Sequence, residues 1–129
     1  MSLILVDSSV WISFFKGRIP REPLFSLIDA NQICINDLIL SEIIPSLIFK
    51  KERALVETLR QVQKIPLNID WPEIITMQAG NLSKGINRIG IPDLIVMQNA
   101  IQNNLKLYSL DNHFMLMSKM FSVHLYSHT

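Results

Sequence analysis

Four carboxylates stand where the sequence gives them uncommon neighbours. Asp7 ends the apolar run "LILVD", and Glu42 sits inside "DLILSEII". Asp93 follows a proline in "RIGIPDLIV", and Asp111 closes "LKLYSLD". The three aspartates have an ordinary explanation as helix caps. An aspartate at a helix start accepts from unpaired backbone N–H groups and complements the dipole, contributing ~0.5–2 kcal/mol. For Glu42 the ordinary explanation is a narrow exposed helix face. Among Leu40, Ile43 and Ile44, an ionised glutamate is costly unless it reaches water, a partner or a cation. The other explanation is shared chemistry. Carboxylates gathered at one place repel one another unless a cation lies between them, and an oxygen-rich cluster suits Mg2+ or Mn2+.

Whether the acids meet depends on the elements that carry them. Residues 3–6 read as a buried strand, because the run is short, continuously apolar and ends in turn formers. Helices are predicted over 8–16, stopped by Gly17, and over 22–30. "QICIN" is a second strand, and Asp37 is expected to cap the next helix. Pro45 predicts a kink or break near 42–45. An amphipathic helix is expected over 52–64, with "IPLN" at 65–68 a weak, edge-placed third strand. Helices follow over 71–86 and from Pro92 to about Asn104. "LKLYSL" is a fourth strand, Asp111 starts a short helix, and "SVHLYS" is a last strand.

Strands alternating with helices imply a parallel sheet covered on both faces, as a single domain over 1–129. Right-handed crossovers bring the strand carboxyl ends to one edge. In a doubly wound sheet the ligand crevice lies between two adjacent strands whose connections leave to opposite sides. If the first and fourth strands are those neighbours, Asp7 and Asp111 face each other across it.

The 129 residues include 49% hydrophobic and 18% charged ones, which argues against disorder and for a real core. The apolar share points to a further buried surface, such as a subunit interface. With 12 basic and 11 acidic residues the net charge is +1, so local clusters matter more than the sum. Cys34 is the only cysteine, which leaves no disulfide framework and fits a reducing cytoplasm. No signal peptide and no membrane helix are expected.

The segments "LILVDSSVWISFF", "DLILSEI" and "IPDLIVMQNAIQNNLKLYSLDNHF" together resemble the signature segments of PIN-domain nucleases. The likeness is greatest to the small VapC-type toxin ribonucleases of toxin–antitoxin pairs. It spans nearly the whole chain, in family order. It implies a PIN-like three-layer α/β fold with a five-stranded parallel sheet of order 3-2-1-4-5. It also implies that Asp7, Glu42, Asp93 and Asp111 are catalytic residues holding Mg2+ or Mn2+. Ser8 and Ser9 match the small hydroxyl residues after the first aspartate, and Ser109 matches a hydroxyl residue before the last. Many relatives carry a further acid two positions after the last aspartate, where this chain has His113. That histidine is expected as a solvated residue in a helix's first turn, close enough to act from a second shell.

The activity implied is hydrolysis of RNA phosphodiester bonds by an endoribonuclease, with Ser9 and Ser109 orienting carboxylates or water. Lys16, Arg18 and Arg21 follow the opening helix, and Lys84 and Arg88 precede Asp93. Either group is placed to bind RNA phosphates. Lys50, Lys51 and Arg53 form a third cluster. Trp11, Phe14 and Phe15 are expected in the core rather than stacked on bases. The Ile- and Leu-rich pair of helices between Asp37 and Lys64 is expected to provide a homodimer or antitoxin surface.

A rival from another class keeps the fold and uses the acids only as caps, giving a catalytically inactive RNA- or protein-binding module. A phosphoacceptor receiver domain fits less well. The end of its third strand offers only Asp70, and no lysine follows the last strand. A dinucleotide-binding domain fails because "VDSSVW" has no glycine where phosphate approaches the first helix.

Overall fold

The computed structural model of the chain describes residues 3–127. Its elements are β1 (Ile4–Val6), α1 (Ser8–Phe15), α2 (Glu22–Asp29), β2 (Ile33–Ile35), α3 (Asp37–Phe49) and α4 (Arg53–Arg60). They continue as β3 (Gln63–Lys64), α5 (Trp71–Ser83), α6 (Ile91–Gln102), β4 (Lys106–Tyr108), α7 (Asn112–Ser118) and β5 (His124–Leu125). The strands form one parallel sheet in the order β3-β2-β1-β4-β5, flanked by the helices, as the family likeness implied. Every residue of β1 and β2 is buried, which explains why these strands are continuously apolar rather than alternating. No helix among the described residues is long and apolar enough to cross a membrane.

Helix ends follow the chain's local chemistry. Gly17 has φ 67°, a conformation glycine adopts without steric cost, and the Arg18 N–H closes onto the Ser13 carbonyl at 2.8 Å. Gly85, at φ 77°, ends α5 in the same way, with the Ile86 N–H on the Asn81 carbonyl. This stop explains why α5 ends at Ser83 rather than running to residue 86. Asn36, not Asp37, caps α3. Its Oδ1 accepts from the Ile39 N–H at 2.9 Å, and Asp37 is the first helical residue.

Pro45 does not interrupt α3, which is continuous over 13 residues. The proline removes the donor that the Ser41 carbonyl would have used. Ser41 and Pro45 both lie on the exposed side, where water can take its place. The third strand is earlier than predicted. Gln63 and Lys64 pair with Cys34 and Ile35, and α4 ends at Arg60. The Ile65 N–H still reaches the Ile35 carbonyl at 2.8 Å, but Pro66 has no N–H and the ladder stops there.

Trp11 is 1% exposed, and Phe14 and Phe15 pack partly buried beside it, with ring centroids 6.3 and 5.9 Å away. These rings belong to the core, as their helical spacing suggests. Cys34 is buried in β2, where loss of water pushes its thiol up to about 12, so it stays protonated and unreactive.

Candidate active site

β1 and β4 are neighbours, with Ile4, Leu5 and Val6 opposite Lys106, Leu107 and Tyr108. Beyond the last pair, the Asp7 N–H donates to the Tyr108 carbonyl at 2.9 Å. The ladder therefore carries Asp7 and Ser109 to adjacent positions at the carboxyl edge. Asp7 is 5% exposed and serves as N-cap of α1. Its Oδ2 accepts from the Ser9 hydroxyl at 2.8 Å, the Ser109 hydroxyl at 3.0 Å and, more weakly, the Ser9 N–H at 3.4 Å. All these bonds fall on one oxygen, and Oδ1 has none among the described residues.

The two hydroxyls also bind the loop that follows β4. The Leu110 N–H donates to Ser9 Oγ and the Asp111 N–H to Ser109 Oγ, both at 3.0 Å. Asp111 caps α7 through the His113 N–H, at 2.9 Å from Oδ1. The serines thus lock two aspartates, 104 positions apart in sequence, into one construction. An aspartate that only capped α1 would need no hydroxyl from β4's far end.

Asp93 lies in the first turn of α6 and Glu42 near the middle of α3. Burial pushes the Asp93 carboxyl above the ordinary range, and the charges of Asp111 and then Asp7 push it further, while His113 pulls it back. Glu42 as a residue is exposed, but its carboxyl is crowded. Loss of water raises it, Asp7 and Asp93 raise it further, and a hydrogen bond with Ser8 lowers it. Four acids from four segments therefore share one field. The structure brings Asp7, Glu42, Asp93 and Asp111 together and sets Ser8, Ser9 and Ser109 against them.

A group whose folded pKa is raised stabilises the fold fully below its unfolded value, and that contribution is lost as pH rises through the folded value. For Asp93 and Glu42 the loss begins just above the ordinary values of 3.8 and 4.5. Chelator-treated protein should therefore lose melting temperature from these groups as pH rises toward neutrality, and Asp93→Asn should lose less. Added Mn2+ should restore stability near pH 7 and have little effect near pH 4. Thermal denaturation across this range, with chelator and with Mn2+, measures both.

The basic residues are less concentrated. Lys16 and Lys50 line a cleft of about 240 Å3 together with Glu42, which brings one cation from each of two sequence clusters beside that acid. Arg18, Arg21, Lys84 and Arg88 are exposed and make no ion pair with the acids among the described residues. Lys50 was thus placed in a separate group by sequence, and the turn after α3 returns it to the cleft.

His113 lies in the first turn of α7 and keeps its side chain 36% exposed, as expected, but one ring nitrogen turns inward. Its Nδ1 lies 3.3 Å from Asp111 Oδ1 and 3.6 Å from Asp93 Oδ2 and is shut off from solvent.

Two asparagines were not singled out in the sequence. Asn36 is fully buried at the end of β2, and its Nδ2 donates to Asn99 Oδ1 at 2.9 Å. Asn99, 2% exposed on α6, donates in turn to the Pro66 carbonyl at 3.1 Å. The pair joins the start of the Glu42 helix to the middle of the Asp93 helix. Its signal was the "QN" inside "DLIVMQNAI", a polar pair on a helix that is buried almost throughout.

A parallel sheet of this order, with acids converging beyond β1 and β4, defines a class. The PIN domain family matches residues 4–119, and the chain belongs to that family. No curated protein matches it significantly by sequence. Among solved structures, the fold is similar to DNA-bound VapBC from Salmonella typhimurium, at TM-score 0.75 and 17% identity over 98% of each chain. It is also similar to VapBC2 from Rickettsia felis bound to a promoter DNA fragment, at TM-score 0.75 and 16% identity, covering 96% of this chain and 97% of that one. A third is FitAcB from Neisseria gonorrhoeae, at TM-score 0.70 and 18% identity over 97% of each.

Proposed function

We propose that this chain is a divalent-metal-dependent endoribonuclease and the toxin of a toxin–antitoxin pair. The observation that carries the reading is the convergence of Asp7, Glu42, Asp93 and Asp111 at one edge, with Glu42 and Asp93 held above the ordinary carboxylate range by burial and by their acidic neighbours. Such a set fits a hard cation, because each anion is costly beside the others until positive charge is added. Mg2+ or Mn2+ bound there would activate water and offset charge on the phosphate.

The chain's own residues supply position. Asp7 and Asp111 would be the main ligands, and Asp93 and Glu42 would complete the set or hold water. Ser9 and Ser109 fix Asp7 through Oδ2, which keeps Oδ1 available. Ser8 fixes Glu42. Lys16 and Lys50, beside Glu42, are placed to bind backbone phosphates, with Arg18, Arg21, Lys84 and Arg88 contributing along the path of the RNA.

Both VapBC chains named above come from assemblies of that name bound to DNA, which supports an antitoxin as partner here. The α3–α4 pair carries Ile48 at 57% and Phe49 at 87% exposure, a surface suited to a second copy or to that partner. The protein would act in the cytoplasm, as a homodimer or in complex.

Purified protein should cleave single-stranded RNA with Mn2+ and stop when chelator is added. Binding of RNA with no cleavage under any divalent ion would instead favour the inactive binding module.

A further inference from the structure

The side chain at 113 is the one nitrogen donor in a cluster otherwise made of oxygen. One ligand atom each from Asp93, Asp111 and His113 lies within 4.8 Å of the others, close enough for a single ion to be shared. The backbone of His113 is anchored to Asp111, which fixes where the ring starts. Nδ1 is cut off from water and has at most a marginal hydrogen bond with Asp93, too long and oblique to satisfy it, although the ring as a whole keeps contact with solvent, with the side chain 36% exposed. A histidine that only neutralised its neighbours would point an N–H along a carboxylate oxygen. At 3.3 and 3.6 Å from two separate carboxylates, the nitrogen instead stands beside both, where a cation between them would meet its lone pair.

Resting on the metal-centre reading above, we propose that His113 Nδ1 is a direct ligand of the ion held by Asp93 and Asp111. The nitrogen shifts the site's preference from Mg2+ toward Mn2+ and Co2+. Mg2+ favours oxygen and gives up water reluctantly, whereas imidazole suits the transition ions and affinity rises along their series.

The test uses the full chain at pH 8 with metal alone and no RNA. Electron spin echo spectra of the Mn2+-loaded protein should show nitrogen modulation from a coordinated imidazole. The modulation should vanish in His113→Asp and in His113→Asn, two variants that guard against misfolding of either one. In calorimetric titrations, His113→Asp should narrow the preference for Mn2+ over Mg2+ by about tenfold or more, the size typical when a metal's surroundings are altered. Mn2+ binding that is lost in Asp111→Asn but shows no nitrogen modulation in the unaltered protein would overturn the role of His113 and leave the metal centre standing. No Mn2+ binding at all would overturn both.

Discussion

Asp7→Asn is expected to lower metal-stimulated RNA cleavage by at least about a hundredfold while the protein stays folded. Loss of a partner outside the coordination sphere commonly costs 10–100-fold in metal affinity or activity, so loss of a direct ligand belongs at or beyond the upper end. The side chain is nearly the same size and is surrounded by hydroxyls that can rotate. An asparagine carbonyl can take the place of Oδ2 and accept from Ser9 and Ser109 as the carboxylate does. Its amide would then present N–H donors where Oδ1 stood, toward a site that needs negative charge. The capping of α1 persists, because asparagine caps as well as aspartate. Cleavage rates with Mn2+ and circular dichroism separate the two effects. An unchanged rate would mean that Asp7 is only a cap.

Asn99→Leu is expected to destabilise the fold by about 2–3 kcal/mol, because it orphans a buried amide rather than simply deleting a hydrogen bond. Asn36 is fully buried, and its Nδ2 would be left without the partner now at 2.9 Å. The cost should shrink in Asn36→Ser/Asn99→Leu. Serine keeps the α3 cap but brings no amide N–H2 to strand, so the two changes should be strongly non-additive. Urea denaturation of the single and double variants measures this. A single-variant loss below about 0.5 kcal/mol would show that the pair does not tie α3 to α6. Because α3 carries Glu42 and α6 carries Asp93, the same variant should weaken Mn2+ binding.

The sheet was legible where burial writes a plain signal. β1 is apolar throughout and is followed by Asp-Ser-Ser, so both the strand and the cap of α1 could be read directly. The family likeness gave the order that placed β1 beside β4. β3 was misplaced because it is only two residues long and both are exposed, leaving no apolar pattern to mark it. "IPLN", more apolar, drew the assignment past the proline that in fact ends the pairing. Of the kink or break expected near Pro45, the break is absent for a different reason. A proline costs a helix most where the freed carbonyl is buried, and exposure of that face is a tertiary property that local sequence does not carry.

The site divides along the same line. Acids at strand ends and helix starts are visible in a sequence, because turn chemistry and dipoles favour them there. Their mutual distances are not, nor is the approach of His113 to Asp93 across 20 positions. The Asn36–Asn99 pair was hidden because buried asparagines look like any polar interruption until a partner is found.

The account rests on a divalent ion held where β1, β4 and the starts of α6 and α7 meet. Crystals of the chain soaked in Mn2+ and measured at a wavelength where manganese scatters anomalously test this most directly. The account predicts an anomalous peak bounded by the carboxylates of Asp7, Asp93 and Asp111. Manganese peaks elsewhere on the molecule, with none among those three carboxylates, would contradict it.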